Sequence, residues 1–312
     1  PTENNWKQAM LPEDCIPLEN HNGTAPGVIM ELPAAKVILL PGPPNELHPM
    51  FEESVMPYLA KLTAQAICSQ TVKVCGVGES AVETQIKDMI DAQTNPTLAT
   101  YAKTGEVHIR VTASAEDEKA AGKLMKPVIK ELKSRFGSDI YTTEEGTSLE
   151  KAVVELLEAN ELTVTCAESC TGGMLSARLI DVPGASTVYK SGVVTYSNKS
   201  KRRFLNVKKS SLQKYGAVSA QVAEEMAKGA ALLAHADAAV AVTGIAGPDG
   251  GTQEKPVGLV YIACSVKGKT SVEKYQFAGS RSKVRESAVA AALTLLRRCI
   301  LEYYSKVTFG KK

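Results

Sequence analysis

Ser169 and Cys170 stand side by side in "TVTCAESCTGG" (Thr163 to Gly173), and either is a candidate nucleophile. A β-branched run leads up to them, and "MLSARLI", with the apolar spacing of a helix, follows. A strand that ends in a nucleophile beside a glycine-rich helix start has a second property. The backbone N–H groups of Thr171, Gly172 and Gly173 would be unpaired at the positive end of the helix, ready for a phosphate or an oxyanion. The same residues also suit a plain capped helix start.

A serine nucleophile needs a base. The four histidines, His21, His48, His108 and His235, fall outside the three turns that carry chemistry, so a Ser–His–Asp arrangement finds no support. A lysine with a lowered pKa is the substitute. "TYSNKSKRR" places Lys199, Lys201, Arg202 and Arg203 behind a strand carrying Tyr196. Crowded cations and burial would depress one amine, and the Tyr196 phenol would relay or donate a proton. A solvated basic loop is the plainer reading of the same run. The third turn, Thr243 to Gly251, holds four glycines in nine residues, Gly244 and Gly247 among them, and reads as a pocket wall. Arg281 and Arg285 open the last helix behind Ser280, a candidate N-cap, and are candidate anion ligands.

These positions need a scaffold, and the chain is long enough for two or three cores: 312 residues, 44% of them hydrophobic. Lys and Arg number 36 against 34 Asp and Glu, a net charge of +2, so nucleic acid is not expected as a partner through bulk electrostatics. No apolar run reaches the ~18–20 residues of a membrane span, and no signal peptide is read in "PTENNWKQAM". Seven scattered cysteines (Cys15, Cys68, Cys75, Cys166, Cys170, Cys264, Cys299) without a CxxC pair predict neither disulfides nor a zinc site, and fit the cytoplasm.

Along the chain, residues 1–62 give one clear strand, "AKVILLPG", and one helix, too little for a core of their own, as if the sequence opened inside a domain. Residues 63–145 read as a small α+β module: strand "SQTVKVCGV", helix "GESAVETQIKDMIDA", a hairpin turning at Lys103-Thr104-Gly105, and a charged helix. From 146 to 312, helices alternate with buried strands and a late hairpin adds an antiparallel pair, which predicts a layered α/β domain. "YTTEEGTS" reads as a polar joint and "NKSKRRFLNV" as a basic connection.

"AESCTGG", "SGVVTYSNKSK", "YGAVS", "VTGIAGPDGG", "KPVGLVYIA" and "GSRSKVRE", in this order, resemble the C-terminal domain of the CinA family. The resemblance implies a nicotinamide-nucleotide amidase that converts nicotinamide mononucleotide to nicotinate mononucleotide and ammonia. The family's serine, tyrosine and lysine fall on Ser169, Tyr196 and Lys201, with no metal and no cofactor for the amidase. Cys170 ranks below Ser169 as nucleophile. The front of the chain is similar to the end of the family's molybdopterin-binding-like N-terminal domain, whose ADP-ribose hydrolysis would need a complete domain and a divalent metal. The middle resembles the family's KH-type linker, although "GVGE" lacks basic flanks and so reads as a spacer rather than an RNA reader. A homodimer is implied by the resemblance alone. The competing reading is a nucleotide-sensing regulatory protein without catalysis.

Overall fold

In the C-terminal half, apolar strand runs and helical stripes build one five-stranded sheet whose order fixes where a ligand can sit. The computed structural model describes residue 7, residues 10–62 and residues 65–309, with side chains as far as Ser305. The chain divides into two units, residues 1–67 with 114–121, and residues 68–113 with 122–312.

In the first unit, β1 (Ile16–Leu18), β2 (Gly27–Glu31) and β3 (Lys36–Leu39) form an antiparallel sheet. Helix α1 (Pro44–Met50) runs through a π-turn into α2 (Met56–Leu62). Leu18, Ile29, Met50 and Val55 make a small core. This corrects the expectation of a lone strand without a core. β1 and β2 are too short to show a period in the sequence, and they are held by pairing, β1 on β2 and β2 on β3.

The second unit opens with a four-stranded sheet, order β5-β6-β4-β7, built from β4 (Ala66–Cys75), β5 (Thr97–Lys103), β6 (Glu106–Ala115) and β7 (Ile140–Thr142). Helices α3 (Glu79–Asp91) and α4 (Glu118–Phe136) accompany it. The two are tied by a bidentate pair from Arg135 Nη1 and Nη2 to Asp88, at 2.5 and 2.7 Å. β7 lies at the start of the expected polar joint, which is therefore part strand.

The remaining elements are α5 (Leu149–Ala159), β8 (Val164–Glu168), α6 (Met174–Ile180), β9 (Tyr189–Val194), α7 (Asn198–Leu205), α8 (Lys209–Tyr215), α9 (Ala220–Ala234), β10 (Ala238–Gly244), β11 (Leu259–Val266), β12 (Lys269–Gln276) and α10 (Arg281–Phe309). The sheet order is β12-β11-β10-β8-β9. β9, β8 and β10 run parallel, and β11 and β12 return antiparallel. This is the layered α/β domain with an added hairpin that the sequence predicts.

Each buried strand is apolar on both faces. Cys166, Val240 and Ile262 pack with α5, α6 and α10, whereas Ala167, Ala239, Ala241 and Ala263 pack with α9. Alanines on that second face let α9 approach closely. After β8 the chain crosses on the α6 face, and after β9 it returns on the α9 face. The carboxyl ends of β8 and β9 therefore flank a topological switch point, the place where open α/β sheets bind ligands. Among the described residues, no helix is long and apolar enough to cross a membrane.

Candidate active site

Ser169 is the first residue beyond β8. Its N–H donates to the Val242 carbonyl on β10 at 3.0 Å, which extends the sheet by one residue and fixes the serine. Across the switch point, the Thr195 N–H donates to the Glu168 carbonyl at 2.8 Å and anchors the end of β9 in the same way. The turn then enters α7. Ser197 and Ser200 close a reciprocal capping box, and Lys201 and Leu205 are its buried residues, one helical turn apart. The segment expected as a basic connection is thus a helix that aims one cation inward.

Lys201 is 1% exposed and Ser169 8%. The Lys201 amine donates to Ser169 Oγ at 3.0 Å and to the carbonyls of Thr195 and Tyr196 at 2.8 and 3.3 Å. Burial lowers its pKa to about 8. The crowding expected from Lys199, Arg202 and Arg203 is not the cause, because all three side chains are exposed and their charge is screened by water.

Glu168, which sequence reasoning missed, is wholly buried and occupies the start of α6. Its carboxylate accepts from the N–H groups of Gly173 (3.0 Å), Leu175 (3.1 Å) and Ser176 (2.9 Å), and from the Ser176 hydroxyl (2.6 Å). The Gly172 N–H donates to the Ser169 carbonyl at 3.2 Å. The Gly172 and Gly173 amides expected for a ligand are therefore committed inside the protein. An internal anion already sits where the helix dipole would attract an external one. A signal was present in the sequence: an acidic residue six positions ahead of the helix start, on a run otherwise free of charge.

The other candidates separate into supports and rim. Arg285 donates from Nε to the Cys170 carbonyl (3.0 Å) and from Nη2 to the Thr171 carbonyl (2.9 Å), so it braces the Ser169 loop. Thr171 is fully buried. Thr243 Oγ1 donates to the Ala217 carbonyl at 2.9 Å. Gly244 is required by close approach, since a Cβ there would lie 2.6 Å from Val260 Cγ2 and 2.8 Å from the Leu259 carbonyl oxygen. The Thr243 hydroxyl and the close approach at Gly244 are thus committed to packing within the protein.

At the rim, Arg281 donates from Nη1 to the Gly247 carbonyl (2.8 Å) and from Nη2 to the Tyr196 hydroxyl (3.4 Å). Tyr196 is 64% exposed. Lys201 meets its carbonyl rather than its phenol, so the expected relay from amine to phenol is not a resting contact. Cys170 is buried, and burial pushes its thiol up to about 11, which keeps it protonated at neutral pH and a poor nucleophile. Among the described residues, no group of three or more His, Cys, Asp or Glu side chains is placed to hold a metal ion.

Fold and site together describe a layered α/β protein with a buried serine–lysine pair at its switch point. The comparisons with known proteins agree on what it is related to. Residues 146–300 match the CinA C-terminal domain, and residues 69–142 match the KH domain of the damage-inducible protein CinA. A putative competence-damage inducible protein of Clostridium beijerinckii is 50% identical over 301 residues, 96% of this chain and 73% of that protein. One of Clostridioides difficile is 50% identical over 301 residues, 95% and 72%. The competence/damage inducible protein CihA of Agrobacterium tumefaciens, a crystal structure, is 41% identical with a TM-score of 0.47, covering 47% of this chain and 91% of that one. The chain belongs to the CinA family.

Proposed function

We propose that the protein hydrolyses the carboxamide of nicotinamide mononucleotide to nicotinate mononucleotide and ammonia. The observation that carries this reading is the 3.0 Å contact between the buried Lys201 amine and Ser169 Oγ, with neutral carbonyls as the other hydrogen-bond partners of the amine. In its neutral form Lys201 takes the Ser169 proton as Oγ attacks the carboxamide carbon. The tetrahedral oxyanion lies beside the backbone that follows the nucleophile, where the Cys170 and Thr171 amides serve as donors, because those of Gly172 and Gly173 are committed elsewhere. Collapse expels ammonia, whose added proton is the one Lys201 took from Ser169, passed on by way of the Tyr196 hydroxyl, so the amine is neutral again for the second half. The acyl ester on Ser169 is then cleaved by a water that Lys201 deprotonates, which returns the serine and releases the acid.

Arg281, spanning Tyr196 and the Gly247 carbonyl at the rim, is the cation for the nucleotide phosphate in this reading. Arg285 acts one step back, by holding the loop. A nucleotide sensor would need the rim but would have no use for a buried amine against a serine. The test is ammonia release from nicotinamide mononucleotide by the purified chain in a coupled assay, with nicotinate mononucleotide identified by mass. Binding of the nucleotide without ammonia release would sink the amidase and leave the sensor.

A further inference from the structure

The "GVGE" loop and the hairpin turn at Gly105 have no part in the amidase chemistry, yet the fold brings both against the C-terminal domain. Gly105 lies so close to α10 that a Cβ there would fall 2.5 Å from Ala290 Cβ, and one at Gly76 would lie 2.9 Å from Thr294 Cγ2. Beside these contacts is a cavity of about 370 Å³. Gly76, Val77, Gly78 and Gly105 line one side, and Tyr275 of β12 and Phe277 just beyond it, with Ser287 and Ala291 of α10, line the other. The volume lies in the range of small-ligand sites.

The walls specify the occupant. Tyr275 and Phe277 are half-buried and stacked on each other, ring centroids 5.3 Å apart with 9° between planes, so this wall is an aromatic pair to which a further ring can add. The charged lining residues cancel each other. Glu273 accepts from Arg298 Nη2 on one oxygen and from the Tyr275 hydroxyl on the other. An anionic ligand would be repelled by Glu273 and compete with it for the guanidinium. Ser287 and the glycine backbone provide hydrogen-bonding groups at the edge of a bound ring.

We propose that this cavity binds a small, uncharged, planar heteroaromatic molecule, packed against the Tyr275–Phe277 pair and clasped by the Gly76–Gly78 loop. It is separate from the serine–lysine site and does not depend on the amidase reading.

The test is calorimetric titration of the intact chain with adenine and nicotinamide as uncharged probes, and with adenosine monophosphate as the anionic counterpart. Saturable one-site binding of an uncharged probe is expected, with the nucleotide at least about tenfold weaker. Ala291→Phe, which fills the cavity, and Phe277→Ala, which removes half the aromatic pair, should each weaken binding by about tenfold or more while the far-ultraviolet dichroism stays unchanged. If either variant fails to fold, Ser287→Ala replaces it, and a clear loss of affinity is again expected. Failure of both uncharged probes to saturate would overturn the proposal. So would wild-type affinity in folded cavity variants, or tighter binding of the nucleotide than of adenine.

Discussion

Lys201 and Ser169 meet at 3.0 Å from opposite sides of a topological switch point, one from the first turn of α7 and the other from the end of β8. The pairing matters because burial, and not a neighbouring cation, sets the lysine's protonation.

With a pKa of about 8, roughly a tenth of the amine is neutral at pH 7, against about one in a few thousand for a free lysine. kcat/KM for amide hydrolysis is therefore expected to rise with pH and level off above an apparent pKa near 8. A profile that is flat from pH 6 to 9 would remove Lys201 as the base.

The same shift has a stability consequence of definite sign. The folded pKa lies below the unfolded one, so the charged form opposes folding, fully so below pH 8, by roughly 3 kcal/mol. The penalty fades as pH rises from about 8 to about 10.5. Lys201→Met removes the charge at similar length. It should abolish turnover, raise stability at pH 7, and erase the rise in stability across that window. Denaturant melts at pH 7 and pH 10 measure both effects.

The nucleophile is separable from its neighbour. Ser169→Ala should lose ammonia release by several orders of magnitude with an unchanged melting temperature, whereas Cys170→Ala should keep most activity, because its thiol is buried and protonated. The reverse pattern would make the thiol the nucleophile.

Glu168→Gln keeps shape but turns an amide donor toward backbone N–H groups, orphaning at least one or two of them. A loss of about 2–4 kcal/mol is expected, together with lower kcat, since the start of α6, which closes the loop after Ser169, is held through this carboxylate. Chemical denaturation reads the first effect. Wild-type stability in this variant would mean that the carboxylate does not order the loop.

Tyr196→Phe divides proton delivery from binding. If the hydroxyl supplies the leaving-group proton, kcat should fall by about 10²–10⁴ at nearly constant KM. A rise in KM at constant kcat would instead confine Tyr196 to the rim with Arg281.

Periodicity and turn chemistry alone reveal the alternation of strands and helices from Ser148 onward, the late hairpin and the glycine-rich turns, because those signals are local. The nucleophile candidate was legible for the same reason: a β-branched run stopping at Ser169 before two glycines is a local pattern. Three things were not. That α7 is a helix with Lys201 inward depends on a capping box between Ser197 and Ser200 and on an apolar surface waiting for Leu205, and the run of cations masks both. That Glu168 fills the start of α6 depends on a carboxylate reaching around a turn to amides as far as eight residues away, a contact that takes its shape from the strand end. That Lys199, Arg202 and Arg203 leave the lysine's protonation to burial follows from which helix face meets the sheet. Sequence spacing names the groups able to do chemistry. Desolvation and distance, which decide what those groups do, exist only once the ends of β8 and β9 lie side by side.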